Sequence, residues 1–271
     1  MRIFELLKKL FIYKDLRQRA LFVIGLLLLA RLLANIPLPD VDLEKFKTLF
    51  EANQFLGFIN IFSGGALSNF SVALLGLGPY ITAVIILQLL TFVYPRLKEM
   101  YYEEGESGRA KFNQYARLIT IPLSLIQAIG FLNFLGAQGV IFLTPLTLIR
   151  DAIIVTGGVI ILMWLGELIT EQKLGNGISL IIFSGIVAHF PQILFQAYAT
   201  FSVEKLQIYI PFIVLAILII AGIIFINEAE RRIQLVFAKR VRGTKLYGGA
   251  STYLPIRITQ AGVIPIIFAI A

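Results

Sequence analysis

Residues 61–90 read "IFSGGALSNFSVALLGLGPYITAVIILQLL". The first ten of them mix glycine, serine and asparagine with large apolar side chains, so this part is too short and too polar to cross a bilayer, and too apolar for an ordinary loop. The following residues have the length and apolarity of a membrane helix, but Gly76, Gly78 and Pro79 interrupt it near its start. Such a break is tolerated in lipid only where neighbouring helices or a cavity satisfy the backbone. The stretch therefore predicts a broken helix behind a short, half-apolar segment.

The composition of the whole chain is that of a membrane protein. Of its 271 residues, 58% are apolar and 15% are charged, whereas a soluble domain is nearer half apolar and a quarter charged. Lipid offers no hydrogen-bond partners to an open backbone, so helices are the expected form. We therefore predict an all-α polytopic membrane protein.

We predict six complete helical spans and the start of a seventh. Each complete span has roughly the 20 residues that a helix needs to cross a hydrocarbon core of about 30 Å. The charged, amphipathic segment before them, residues 1–19, does not have the pattern of a cleavable signal peptide. The predicted spans are residues 20–37, 71–94, 115–135, 147–170, 178–200 and 207–227, with the seventh starting near residue 258.

Lysine and arginine are concentrated in alternate connections, which predicts the orientation. The rich segments are residues 1–19, 95–117 and 228–257, while the connections on the opposite side carry only Lys45, Lys47 and Lys205. Since cytoplasmic connections carry the excess of these residues, the N-terminus is predicted to be cytoplasmic. The net charge of +8 then lies mostly on the cytoplasmic face, where it favours contact with anionic lipid.

The last of the basic segments is long enough to suggest a function of its own. Residues 228–257 contain the run "AKRVRGTKLYGG", which is basic and punctuated by glycine. Connections of this length usually carry a function. A protruding basic segment suits an acidic partner, such as ribosomal RNA or an acidic protein surface.

The sequence offers little for catalysis. It contains no cysteine and a single histidine, His189, which excludes a multi-histidine metal site, although carboxylates alone could still hold a hard cation. No pattern resembles a nucleophile–base pair or a phosphate-binding loop, and Glu167 near the end of the fourth span is expected to be solvated. We therefore expect no enzymatic activity, no cofactor and no resident metal.

Three residues of the second span share one stripe of the helix. Leu77, Ile81 and Gln88 are four and seven residues apart, which places them on the same face. Ordinary helix packing, with Gln88 as an interhelical hydrogen-bond donor, accounts for this spacing as well as a pore does. The spacing alone leaves both interpretations open.

Five motifs, in the same order, resemble the SecY family, whose members are the channel subunits of the protein translocon. The first is the opening stretch, residues 61–90. The others are "EGESGR" at 104–109, "MWLGELITEQKLGNGISLIIFSGIVA" at 163–188, "ERRIQLVFAKR" at 230–240 and "STYLPIRITQAGVIPIIFA" at 251–269. The chain resembles the N-terminal part of this family, a SecY-like helical bundle.

The resemblance implies a protein-conducting channel with an aliphatic constriction. A ring of aliphatic side chains can gate by dewetting and can close around a passing polypeptide without binding any sequence strongly. The positions that match the ring are Leu77, Ile81, Ile182 and Ile267.

A plug beneath this ring is the second implication. The matching residues are Ile61, Phe62, Ser63, Gly64, Gly65, Ala66, Leu67, Ser68, Asn69 and Phe70. Within them, Phe62 and Leu67 are expected to rest against the ring, and the small residues are expected to keep the plug weakly held.

The resemblance also implies a lateral gate and a docking surface. Gln88 matches a polar residue of the gate between spans two and seven, through which signal sequences leave for lipid. The docking site for the SecA motor or the ribosome matches Lys239, Arg240, Arg242 and Lys245. SecE is the implied obligate partner and SecG the usual one, and the implied location is the bacterial cytoplasmic (inner) membrane.

The sequence departs from the family in length. The family has ten spans in two inverted halves, whereas this sequence ends within the seventh, so we expect a fragment of a longer chain. The expected domains are residues 1–19, a half-channel at 20–200, and 201–271 with the basic segment and the partial seventh span. Two alternatives stay open: a small-solute secondary transporter, or a non-conducting membrane scaffold if the chain is complete.

Overall fold

The computed structural model describes residues 13–39, 45–46, 48, 66–67, 69–200, 206–236, 240–242, 245–247 and 251–257. Helices dominate the described part, which confirms the predicted fold class. They are α1 Lys14–Leu33, α2 Gly78–Val93, α3 Pro95–Tyr102, α4 Gly105–Ala137, α5 Pro145–Glu171, α6 Gly177–Ala199 and α7 Leu206–Glu228. The chain forms two compact units that divide between Phe195 and Gln196.

Predicted spans three to six are present as long apolar helices. Among the described residues, α4, α5, Gly177–Gln196 of α6 and Tyr209–Glu228 of α7 are long and apolar enough to cross a membrane. In α1 the uncharged part between Arg19 and Arg31 is shorter, so its crossing stays a prediction. The predicted seventh span lies outside the described residues.

The second span differs from its prediction. Its helix begins at Gly78 rather than at residue 71, and α2 and α3 form a pair bent by 115° around Tyr94. Successive tight turns precede it, in which the amides of Leu74 and Gly76 donate to carbonyls three residues back. Pro79 has no N–H to donate, and the first turn of a helix is where a proline costs no hydrogen bond. The proline therefore marks where the helix starts instead of breaking it from within.

The first span is also displaced from its prediction, because α1 begins at Lys14 and ends at Leu33. The residues directly after it form a turn, in which the amides of Asn35 and Ile36 donate to carbonyls three residues back, and Pro37 then forms an isolated antiparallel bridge with Ser71. Proline disfavours a helical conformation in the residue before it, which explains why the helix ends upstream of Pro37.

In the first compact unit, α5 is the central helix and packs against α1, α2 and α4. Two apolar clusters surround it. The first cluster has buried residues that include Leu26, Leu77, Leu87, Leu162, Ile169 and Ile181. The second cluster has buried residues that include Leu38, Leu67, Phe70, Leu132, Leu135 and Val155.

In the second compact unit, the basic segment forms two antiparallel strand pairs. Strand β1, Glu230–Val236, pairs with β4, Ser251–Arg257, while β2, Arg240–Arg242, pairs with β3, Lys245–Tyr247. The sequence patterns had predicted a connection here and no strands. Pro255 fits within β4 because an outer strand has a side on which no N–H is required.

Candidate functional site

Three of the four predicted ring residues belong to the first cluster or pack against it. Leu77 lies at the N-cap of α2 with 2% of its surface exposed, and Ile81 begins the helical hydrogen bonding by donating its amide to the Leu77 carbonyl at 3.0 Å. Ile81 and Ile182 are partly buried and pack against this cluster. The starts of α2 and α6 thus both contribute apolar side chains to this cluster. Ile267 lies outside the described residues.

A close approach of backbones fixes the position of α6. A β-carbon at Gly177 would lie 2.8 Å from the carbonyl carbon of Gly166, so only glycine fits there. The Gly177 amide donates to Thr170 Oγ1 at 2.9 Å, and the Ser179 amide donates to Asn176 Oδ1 at 3.1 Å. These contacts hold the first turn of α6, and with it Ile182, against the end of α5.

The described plug residues are largely buried. Ala66 packs in the first cluster, with the ring positions, whereas Leu67 and Phe70 belong to the second cluster. Leu67 was expected to rest against the ring, so its place in the other cluster is a difference from the sequence prediction. Asn69 is exposed, and residues 61–65 and 68, Phe62 among them, lie outside the described part.

Gln88 contacts α3, the helix that follows α2 after the bend. Its Nε2 donates to the Tyr101 hydroxyl at 3.5 Å, a long hydrogen bond, and the Tyr101 ring lies 4.7 Å from that of Phe112. Gln88 therefore joins α2 to α3 as an interhelical donor. Its assignment to a lateral gate stays a prediction, because the seventh span lies outside the described residues.

The predicted docking residues fall on the smaller strand pair. Arg240 and Arg242 belong to β2 and Lys245 to β3, with Arg242 directly opposite Lys245 in the register. Lys239 lies outside the described residues.

The sequence patterns missed one ion pair. Arg117 of α4 pairs with Glu167 of α5, whose side chain is 21% exposed, so Glu167 is paired and half-buried where solvation was expected. The sequence did offer a signal for this pair, because the two residues have opposite charges and lie at the predicted cytoplasmic ends of neighbouring spans. The pair ties α4 to α5 on the side predicted to be cytoplasmic.

Comparison with known proteins places this arrangement in a family. The family model described as SecY matches residues 71–271. The chain belongs to the SecY family. It is also 44% identical to the protein translocase subunit SecY of Thermotoga maritima, covering 97% of this chain and 63% of that one.

Other SecY relatives show the same partial coverage. The subunit from Synechocystis is 42% identical over 94% of this chain and 59% of its own, and that from Mycobacterium tuberculosis is 39% identical over 94% and 60%. The chain thus spans about 60% of the length of these curated relatives.

Solved structures share the fold. A protein-conducting channel superposes with a TM-score of 0.57 at 22% identity, covering 92% of this chain and 54% of that one. Sec61 in a canine ribosome–channel complex gives 0.56 at 22%, with the same coverage of 92% and 54%. A SecY structure in which the plug domain stabilises the closed channel and maintains a membrane seal gives 0.56 at 24%, again covering 92% and 54%. The SecY membership and the apolar helices make this chain a multi-pass membrane protein.

Proposed function

We propose that this chain forms part of a protein-conducting channel that passes unfolded polypeptides across a membrane and releases signal sequences sideways into lipid. The observation that supports the proposal is that Leu77 belongs to the first apolar cluster and that Ile81 and Ile182, at the starts of α2 and α6, pack against the same cluster. An aliphatic constriction of this kind excludes water and ions while yielding to chains of any sequence. The small-solute transporter is not favoured, because the relatives are translocase subunits.

The constriction is tested by ion conductance of the complete channel at rest. Ile81→Asn and Ile182→Asn place a polar group in the constriction and are expected to raise the resting conductance, because a polar lining holds water. Ile86→Asn is the matched control, since Ile86 lies on the same helix as Ile81 with 37% of its surface exposed. Unchanged conductance in both ring variants, or an equal rise in the control, would contradict the assignment. Ile267 is proposed as the fourth ring position.

Residues 61–70 are proposed as the plug and Gln88 as part of the lateral gate. The proposed domains are those expected from the sequence: a half-channel at residues 20–200, and residues 201–271, which contain the docking segment at 228–257. No catalysis and no cofactor are proposed for this arrangement. We place the N-terminus in the cytoplasm and the protein in the bacterial inner membrane, because the basic residues cluster in alternate connections.

We also propose that Lys239, Arg240, Arg242 and Lys245 dock the SecA motor or the ribosome, with SecE and SecG as further subunits. The support is the concentration of positive charge on one short strand pair. Ribosomal RNA and anionic lipid are both attracted by such a surface.

Charge reversal tests the docking site. Arg240→Glu and Arg242→Glu in the complete channel are expected to abolish binding of SecA or ribosomes while membrane insertion stays normal. Reversal of Arg96 and Lys98, exposed basic residues of α3, is the matched control. Binding that survives reversal at β2, or that is lost equally in the control, would refute this site.

A further inference from the structure

The chain that follows the plug is joined to the end of the first helix by an antiparallel bridge. The Leu38 amide donates to the Phe70 carbonyl, and the Val72 amide donates to the Ile36 carbonyl, each at 2.9 Å. We call this pairing the span-one bridge. It attaches the C-terminal end of the proposed plug to a second, independent part of the chain.

Asn35 reinforces the span-one bridge from the end of α1. Its Nδ2 donates to the Arg31 carbonyl at 2.8 Å, which satisfies one of the unpaired carbonyls at a helix end. Its Oδ1 accepts from Asn69 Nδ2 at 2.9 Å. The side-chain nitrogen of Asn35 therefore bonds to the helix, and its side-chain oxygen bonds to the plug.

The C-terminal end of the plug is also buried in the second cluster. Leu67 is 1% exposed and Phe70 is fully buried, and both pack in the second cluster with residues of α4 and α5. The Phe46 ring meets that of Phe70 edge-on, with centroids 5.0 Å apart. Phe70 has a φ of 46°, a backbone region that non-glycine residues enter only when their surroundings require it.

Helix α5 also packs closely against the chain just after the plug. A β-carbon at Gly158 would lie 2.9 Å from the carbonyl carbon of Val72, so the backbone after the plug lies directly on the surface of α5. Ser71, between Phe70 and Val72, is fully buried and donates through Oγ to the Ala66 carbonyl at 3.1 Å.

We propose that residues 66–67 and 69–72 are a fixed base of the plug that stays attached to the first span when the channel opens, with Asn35 as its positioning residue. This inference rests on the proposed channel function and limits how the plug can act. Detaching the base would break the span-one bridge and the asparagine contact and would expose Leu67 and Phe70 together. Any plug displacement that accompanies opening therefore leaves Leu67, Phe70 and Ser71 in place.

A disulfide across the span-one bridge tests the inference directly. Pro37 and Ser71 are the non-hydrogen-bonded pair of an antiparallel bridge, for which the Cα atoms lie about 4.5 Å apart. That separation is within the range of about 4.4–6.8 Å that disulfides adopt. The chain has no cysteine, so P37C/S71C in a cysteine-free complete channel has two reactive thiols, which oxidation by copper phenanthroline should remove together.

The readout is preprotein translocation by the oxidised and reduced forms of the same variant, with P37C and S71C alone as controls. We expect the oxidised form to work within about twofold of its reduced form, because the disulfide fixes a pairing that the channel keeps when it opens. A tenfold loss would mean about 1.4 kcal/mol of added barrier. A tenfold or greater loss on oxidation overturns the fixed base. Thiols that stay reactive after oxidation overturn the span-one bridge itself. Failure of both the reduced form and the cysteine-free parent overturns the proposed function, and the inference with it.

Resting ion leak tests the role of Asn35 separately. Asn35→Leu removes both hydrogen bonds, whereas Asn35→Asp loses the bond to the Arg31 carbonyl but keeps an acceptor for Asn69. Of these two bonds only the one to Asn69 touches the plug, so we expect Asn35→Leu to raise the leak by roughly two- to tenfold, the effect of that one hydrogen bond, and Asn35→Asp to remain near the parent. An equal rise in both variants would show that Asn35 serves only the end of α1 and would refute its positioning role.

Discussion

Replacing Gly158 by alanine tests how tightly α5 is pressed against the chain after the plug. In an unconstrained helix the change is favourable by about 0.8–1 kcal/mol, because glycine is the poorer helix former. At this position the new β-carbon would lie 2.9 Å from the carbonyl carbon of Val72 and 3.1 Å from its Cγ1, and closer still to the carbonyl oxygen. Backbone cannot rotate away as a flexible side chain can, so α5 or residues 71–77 must shift.

Overpacking of this kind costs about 1–3 kcal/mol, which outweighs the gain in helix propensity over most of that range. The adjacent Gly157 is the matched control, because a β-carbon there meets nothing within 4 Å. Gly157→Ala should therefore be neutral or stabilising. The free energies of unfolding of the two variants are expected to differ by about 1–3 kcal/mol.

The measurement is the apparent melting temperature of the purified complete channel, followed by loss of monodisperse protein on heating. The shift is roughly 2–4 °C per kcal/mol at 150–250 residues and smaller for longer chains, so Gly158→Ala should melt a few degrees below Gly157→Ala. Equal melting temperatures for the two variants would refute the close packing of Val72 on α5, and would weaken the fixed base that relies on it.

Two further predictions concern the packing of α5. Gly177→Ala would place a β-carbon 2.8 Å from the carbonyl carbon of Gly166 and is expected to destabilise the channel by about 1–3 kcal/mol. Gly130→Ala, where a β-carbon meets nothing within 4 Å, should not, and equal melting of the two would argue against this contact. For the Arg117–Glu167 ion pair, a double-mutant cycle with Arg117→Leu and Glu167→Gln should give a coupling free energy of about 0.2–1 kcal/mol, because Arg117 is partly exposed. Strictly additive unfolding free energies would show that the pair contributes nothing.

The sequence was sufficient for the long apolar helices, because a run of apolar residues determines a membrane helix locally. The glycines and the proline of the second span lie where the turns end and the helix begins, but local rules could not show that turns would occupy residues 71–77. Those turns depend on contacts with residues 36–38 and with α5, which are far away in the sequence.

The candidate site was predictable in its residue types and less so in its geometry. Leu77 belongs to the first cluster and Ile81 and Ile182 pack against it, but their role as a ring stays a prediction. Leu67 belongs to the second cluster together with Phe70, whose φ is positive. Nothing in the sequence signals a positive φ at a phenylalanine. Strands β1 and β4 were missed for a related reason, since β1 pairs with a strand that begins only at Ser251.

The pairing of β1 with β4 has a consequence for biosynthesis. Glu230 pairs with Arg257, so β1 cannot complete its ladder until the ribosome has made the whole intervening stretch. At about 5–20 residues per second, the wait is on the order of 1–5 s, during which β1 is an open edge. Its first three residues, Glu230, Arg231 and Arg232, are all charged, and charged side chains on an edge discourage pairing with a foreign strand. The nascent chain thus carries its own protection against aggregation through the interval in which its partner strand does not yet exist.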